Sequence, residues 1–215
     1  MKLYARIVSP YVRKVRVFAK ETRTEARFET FMMSSAAEHR QFVPPLNPMG
    51  KIPVMELDNG KGFADSPYIC EMLDSLHDGP KMFPTGPDRW QVRQLLALGD
   101  GITDCAIMAT GEARMRPEQF REQSVIDFQL LKVSRGLDAL EEKVGAELDG
   151  KLNVGVFAVA CAMGYLEFRI PDFFRKQSSA HPKLYAWYES FKQRPSMIET
   201  APRDEVSAKT QAPSS

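Results

Sequence analysis

The chain is poor in cysteine and histidine, carries no excess of one charge sign, and has no long apolar run. Of its 215 residues only Cys70, Cys105 and Cys161 are cysteine, odd in number and widely spaced. Such thiols fit a reducing compartment better than a disulfide framework. His39, His77 and His181 are scattered with no metal-ligand spacing, so they are expected to be surface or capping residues, and no metal is expected. Basic and acidic side chains number 29 and 28, a formal net charge of +1. That balance gives no electrostatic reason to expect nucleic acid or an anionic membrane as a partner. The longest uncharged apolar stretch, Val154 to Leu166, is thirteen residues. A bilayer span needs about twenty, so this stretch reads as a core helix. Met1 to Val8, interrupted by Lys2 and Arg6, is not expected to be a secretion signal. The expected location is the cytoplasm.

What is present is globular: 43% apolar and 27% charged residues, in a chain long enough for one large domain or two small ones. Leu3, Ala5 and Ile7 alternate as in a strand. Ser9-Pro10 then opens a helix through Glu21, Ser being a good cap and Pro a favoured first helical residue. Phe28 to Met33 reads as a strand, Val43 to Gly50 as a breaker-rich loop, and Ile52 to Leu57 with Gly62 to Ala64 as a hairpin. Ser66-Pro67 repeats the cap-plus-proline start before a helix over Tyr68 to Leu76. This order predicts a layered α/β domain over residues 1–78. A Gly/Pro-rich linker is expected at 79–87. Beyond it, Leu95, Leu98, Ile102, Cys105 and Ala109 recur at helical spacing, as do Leu130, Val133, Leu137, Leu140 and Val144. The helix from Val154 is apolar all round and belongs at a bundle centre, and Pro182 to Arg194 adds another. An all-helical domain is therefore expected over 88–202, with a disordered polar tail at 203–215.

Three short segments carry the candidate chemistry, and each also has a plain structural reading. The Ser9 hydroxyl would sit among unpaired backbone N–H groups at the positive end of a helix dipole, well placed to hydrogen-bond a bound thiolate; alone, it is a helix cap. A cis Ile52-Pro53 bond would turn the backbone outward and leave Ile52 to pair with an extended peptide; alone, it is a proline at the start of a strand. Asp65-Ser66 offers an acceptor for an ammonium and N–H donors for a carboxylate, the two charges of an α-amino acid head group; alone, it is a cap beside a solvated acid.

Taken in order, these segments resemble the glutathione site of the cytosolic glutathione S-transferases. Ser9-Pro10-Tyr11-Val12-Arg13-Lys14-Val15-Arg16 is similar to the catalytic turn of serine-type bacterial members, Asn47 to Val54 to the cis-proline loop, and Ala64-Asp65-Ser66 to the acidic-Ser motif. His181-Pro182-Lys183-Leu184, Trp187-Tyr188 and Arg194-Pro195-Ser196 extend the resemblance to about residue 202. The resemblance implies a thioredoxin-like N-terminal domain followed by a C-terminal helical bundle, and glutathione as co-substrate. It implies that Ser9 holds the glutathione sulfur as thiolate. Ile52, presented by a cis Pro53, would pair with the cysteinyl part, Asp65 and Ser66 would bind the γ-glutamyl head, and Lys51 would lie at the glycine end. A homodimer and an apolar pocket for a small hydrophobic electrophile are implied as well. Asp104, Cys105 and Met108 are candidates to line that pocket, although core packing or plain exposure weighs more for each.

The sequence departs from the family at the start of the central helix. Members usually place Ser or Thr there with Asp three residues later, a reciprocal cap. Asn153-Val154-Gly155-Val156 can cap from Asn153 but cannot return the bond from Val156. Ser9 in place of cysteine excludes a mixed disulfide and leaves conjugation, addition, isomerisation and dehalogenation. The alternatives are a non-catalytic glutathione-binding or regulatory protein on the same fold, or a narrow glutathione-dependent isomerase or dehalogenase.

Overall fold

The computed structural model describes residues 1–204. Its contacts divide the chain into two units, Met1–Phe83 together with the segment from Pro195, and Pro84–Arg194. The expected tail at 203–215 lies, from residue 205 on, outside the described residues.

The first unit is a thioredoxin-like sheet with helices. Strand β1 (Lys2–Ala5) leads to α1 (Pro10–Glu21), and β2 (Glu29–Met32) lies parallel to β1. A parallel pair needs a crossover, and α1 supplies it. Helix α2 (Ala36–Phe42) follows, then β3 (Val54–Glu56), β4 (Gly62–Phe63) and α3 (Ser66–Asp74). The sheet order is β2-β1-β3-β4, with β3 antiparallel to both its neighbours. Tyr4, Met33, Val43 and Val54 form a buried cluster, closed by Phe31, Phe42, Leu46 and Ile52. Phe31 and Phe42 meet edge to face with ring centres 5.4 Å apart, which fixes the short helix α2 against β2.

Helix α2 is absent from the sequence-based order, which runs from strand to loop. Its signal is Ser35 followed three residues later by Glu38. The Ser35 hydroxyl accepts the Glu38 N–H, and the Glu38 carboxylate accepts the Ser35 N–H, a reciprocal capping box.

The segment from Pro195, read from sequence as the end of the helical domain, is grouped with the first unit instead. Helix α9 (Pro195–Glu199) follows the helical unit in sequence but bonds to α1. Arg13 Nη2 donates to the Met197 carbonyl at 3.0 Å, Ser196 Oγ to Glu21 at 2.5 Å, and Lys20 pairs with Glu199 at 2.5 Å. Main-chain carbonyls and polar partners so far apart in sequence leave no periodic signal, so a linear pattern does not reveal this grouping.

The second unit is all helical. Its elements are α4 (Arg89–Met115), α5 (Gln123–Glu141), α6 (Val154–Arg169), α7 (Pro171–Gln177) and α8 (Pro182–Phe191). Every residue from Val154 to Leu166 is buried, as expected of a central helix. Gly99 on α4 and Gly155 on α6 allow those two helices to approach closely. A methyl group at Gly99 would lie 2.8 Å from the Ala158 backbone, and one at Gly155 would lie 2.8 Å from the Val92 carbonyl. No helix among the described residues is long and apolar enough to cross a membrane.

Candidate active site

The sheet register decides where the three motif segments fall. Tyr4 pairs with Val54, so the end of β1 lies beside the start of β3; Met55 pairs with Phe63, so the end of β4 lies beside that same start. The turn to Ser9 leaves β1, Ile52-Pro53 enters β3, and Asp65-Ser66 follows β4. All three emerge from one end of the sheet.

Ser9 caps α1. Its backbone is extended, its Oγ accepts the Val12 N–H at 3.3 Å, and Pro10 occupies the first helical position. The cap uses a lone pair of the hydroxyl and leaves its hydrogen available to donate. Ser9 is half-buried, at the positive end of a twelve-residue helix.

The Ile52-Pro53 peptide is cis. Pro53 is buried and Ile52 half-buried, while Lys51 is exposed. The β1–β3 pairing begins at Val54, so Ile52 precedes the ladder. The loop before it is held from within by Asn47, whose amide donates to the Lys51 carbonyl at 2.8 Å and whose Oδ1 accepts the Met49 N–H at 3.1 Å.

At the third segment the cap is Asp65, one residue earlier than the sequence pattern indicated, with Ser66 and Pro67 opening α3. Asp65 Oδ1 accepts the Ser66 N–H, across from a second cis peptide at Ala64-Asp65. Asp65 is exposed and Ser66 fully buried. Ser66 Oγ makes no hydrogen bond among the described residues. A buried hydroxyl without a partner is uncommon in a folded protein.

The candidates on α4 are less convergent. Asp104 and Met108 are exposed, and Cys105 is half-buried with its thiol pKa pushed up by burial, which keeps the sulfur protonated. Within the helical unit a surface pocket of about 230 Å³ is lined by Leu148, Leu152, Trp187 and Phe191 among others, and includes none of these three. Among the described residues no group of three or more His, Cys, Asp or Glu could hold a metal ion.

Two features near the motifs were not legible as function. His39, on α2, places Nε2 2.9 Å from the Gly50 carbonyl, and Arg13, one turn beyond Ser9, is buried. Both depend on contacts between separate elements.

With this geometry established, the likeness to known proteins is extensive. The family pattern described as "Glutathione S-transferase, N-terminal domain" matches residues 3–81. The GST-like protein YibF of Escherichia coli strain K12 is 34% identical over 175 residues, which span 79% of this chain and 83% of YibF. A glutathione transferase family member from Pseudomonas fluorescens Pf-5, solved with bound glutathione, superposes with a TM-score of 0.88 at 38% identity, covering 94% of this chain and 99% of that one. A glutathione S-transferase from Methylobacillus flagellatus KT, solved with GSH bound, gives a TM-score of 0.83 at 34% identity over 94% and 99% of the two chains. By sequence over most of its length and by fold over nearly all of it, the chain belongs to the glutathione S-transferase family.

Proposed function

We propose that the protein is a glutathione transferase that holds glutathione as a thiolate and delivers it to small hydrophobic electrophiles in the cytoplasm. The observation that carries this reading is the convergence of Ser9, Ile52-Pro53 and Asp65-Ser66 at one end of the sheet, fixed by the β1–β3–β4 register. The relatives solved with glutathione bound support the choice of ligand.

Each part of the tripeptide has a partner of fitting chemistry. The exposed Asp65 carboxylate suits the γ-glutamyl ammonium. The unpartnered Ser66 hydroxyl and the N-terminus of the nine-residue α3 suit its carboxylate. Ile52, ahead of the ladder, suits backbone pairing with the cysteinyl unit. Lys51, exposed beside it, suits the glycine carboxylate.

The chemistry then falls to Ser9. A thiol with an ordinary pKa of about 8.5 is only a few per cent ionised at neutral pH. Lowering it by two units corresponds to about 2.7 kcal/mol of selective thiolate stabilisation. A hydroxyl hydrogen bond together with a helix N-terminus supplies an effect of that order. The thiol proton passes to water and the sulfur forms a bond to the electrophilic carbon. The displaced group leaves with its electron pair, or, in an addition, the pair moves to an acceptor atom that takes up a proton. A homodimer belongs to the same reading, and exposed Trp90, Met108, Phe128 and Leu131 on α4 and α5 are apolar side chains available to such an interface.

Glutathione calorimetry paired with a panel of aryl halides, epoxides and activated alkenes tests the reading. Binding with turnover of at least one electrophile is expected. Binding without turnover of any would move the protein to the non-catalytic class, and absence of binding would remove the reading altogether.

A further inference from the structure

We propose that His39 is a positioning residue for the glutathione loop, acting through the Gly50 carbonyl. This rests on the glutathione reading above and extends it to a residue outside the three motifs. His39 Nε2 lies 2.9 Å from the Gly50 oxygen. A carbonyl only accepts, so Nε2 carries the hydrogen. His39 Nδ1 is buried and has no partner among the described residues, so the ring is spent on this one bond.

The bond joins a fixed element to one that needs fixing. Helix α2 is anchored at its start by the Ser35–Glu38 box, with Ser34 also donating to Glu38. At its end Phe42 packs in the Tyr4–Phe31 cluster. The loop from Asn47 to Pro53 has no ladder bonds to β1, because that pairing starts at Val54. Gly50 sits in it at φ +61°, where glycine adopts the turn without steric cost and gains no rigidity from a side chain. Asn47 ties the loop to itself, and His39 ties it to the body of the unit. Lys51 and Ile52 are the next two residues. Without His39, the entropy of ordering them is charged to ligand binding. Ser9 is on a different element, so the thiolate chemistry stays as it is.

Steady-state kinetics with glutathione varied, and calorimetry with glutathione, are compared for the wild type, His39→Leu, His39→Gln and His39→Asn. Loss of one hydrogen bond in His39→Leu is expected to raise both KM and Kd for glutathione about five- to tenfold. The kcat and the pH at which the bound thiol ionises should hold, a split that general destabilisation would not produce. The Gln amide nitrogen reaches the place of Nε2 and should restore affinity, whereas the shorter Asn should not. Equal affinity in the wild type and His39→Leu, or equal behaviour of Gln and Asn, overturns the proposal; if the Leu variant does not fold, the Gln–Asn pair decides alone. A wild type that binds no glutathione overturns the functional reading and this inference together, while a wild type that binds and a Leu variant that binds alike overturns the inference only.

Discussion

The Arg13 guanidinium donates to the main-chain carbonyl of Met197 at 3.0 Å, joining α1 to α9 across 184 residues of sequence. The side chain is buried, and its Nε has no partner among the described residues, so the bond to Met197 carries most of the compensation for burying this cation.

Arg13→Ala should therefore lower stability by about 2 kcal/mol, from a lost hydrogen bond to a charged donor and lost packing of the stem. Urea unfolding checks this. A change below about 0.5 kcal/mol would mean that the clasp is a by-product of α9 packing rather than a cause of it.

Ser9→Ala removes both a cap and the proposed thiolate donor. The cap alone should cost about 1 kcal/mol of stability. Glutathione affinity should stay within about twofold, while conjugation at neutral pH falls about ten- to a hundredfold and the inflection of the pH–rate profile moves upward. Unchanged turnover would remove Ser9 from the chemistry.

Glu38 gives a pH dependence of known sign. Hydrogen bonds from the Ser34 and Ser35 N–H groups hold its carboxyl below the ordinary glutamate value. A carboxylate pKa depressed on folding contributes stability above the unfolded value and loses it as the pH falls through the folded one. Glu38→Gln should flatten that part of the acid-side stability curve and leave neutral-pH unfolding cooperative. Parallel acid curves for variant and wild type would contradict it.

Asn153 completes only half of the family's usual cap. Its Oδ1 accepts the Val156 N–H at 3.1 Å and its amide donates to the Lys151 carbonyl at 3.0 Å, while Val156, fully apolar, returns nothing. Asn153→Ala should cost about 1 kcal/mol and Asn153→Ser much less, by thermal or urea unfolding. Equal loss in both would show that the amide's bond to Lys151, rather than the cap, is what matters.

Much of this molecule is written in local pattern. The alternation of Leu3 and Ala5, the Ser9-Pro10 start, the hairpin around Asn59-Gly60 and the unbroken apolar run from Val154 each specify an element, because hydrophobic period, cap and turn chemistry act within a few residues. Ser9, Ile52-Pro53 and Asp65-Ser66 stood out for the same reason, since they sit at helix starts and a strand entry that those signals mark; Lys51 and the glutathione role of each residue came only from the family resemblance and stand as proposals. Tertiary structure decided what lies between elements. It moved the cap of α3 from Ser66 to Asp65, added α2, assigned the segment from Pro195 to the first unit through Arg13 and Ser196, and set His39 against Gly50. The register of β1, β3 and β4 also had to form before three separate turns could share one end of a sheet. Those facts depend on contacts between residues far apart in the chain, and a linear pattern carries no record of which distant groups will meet.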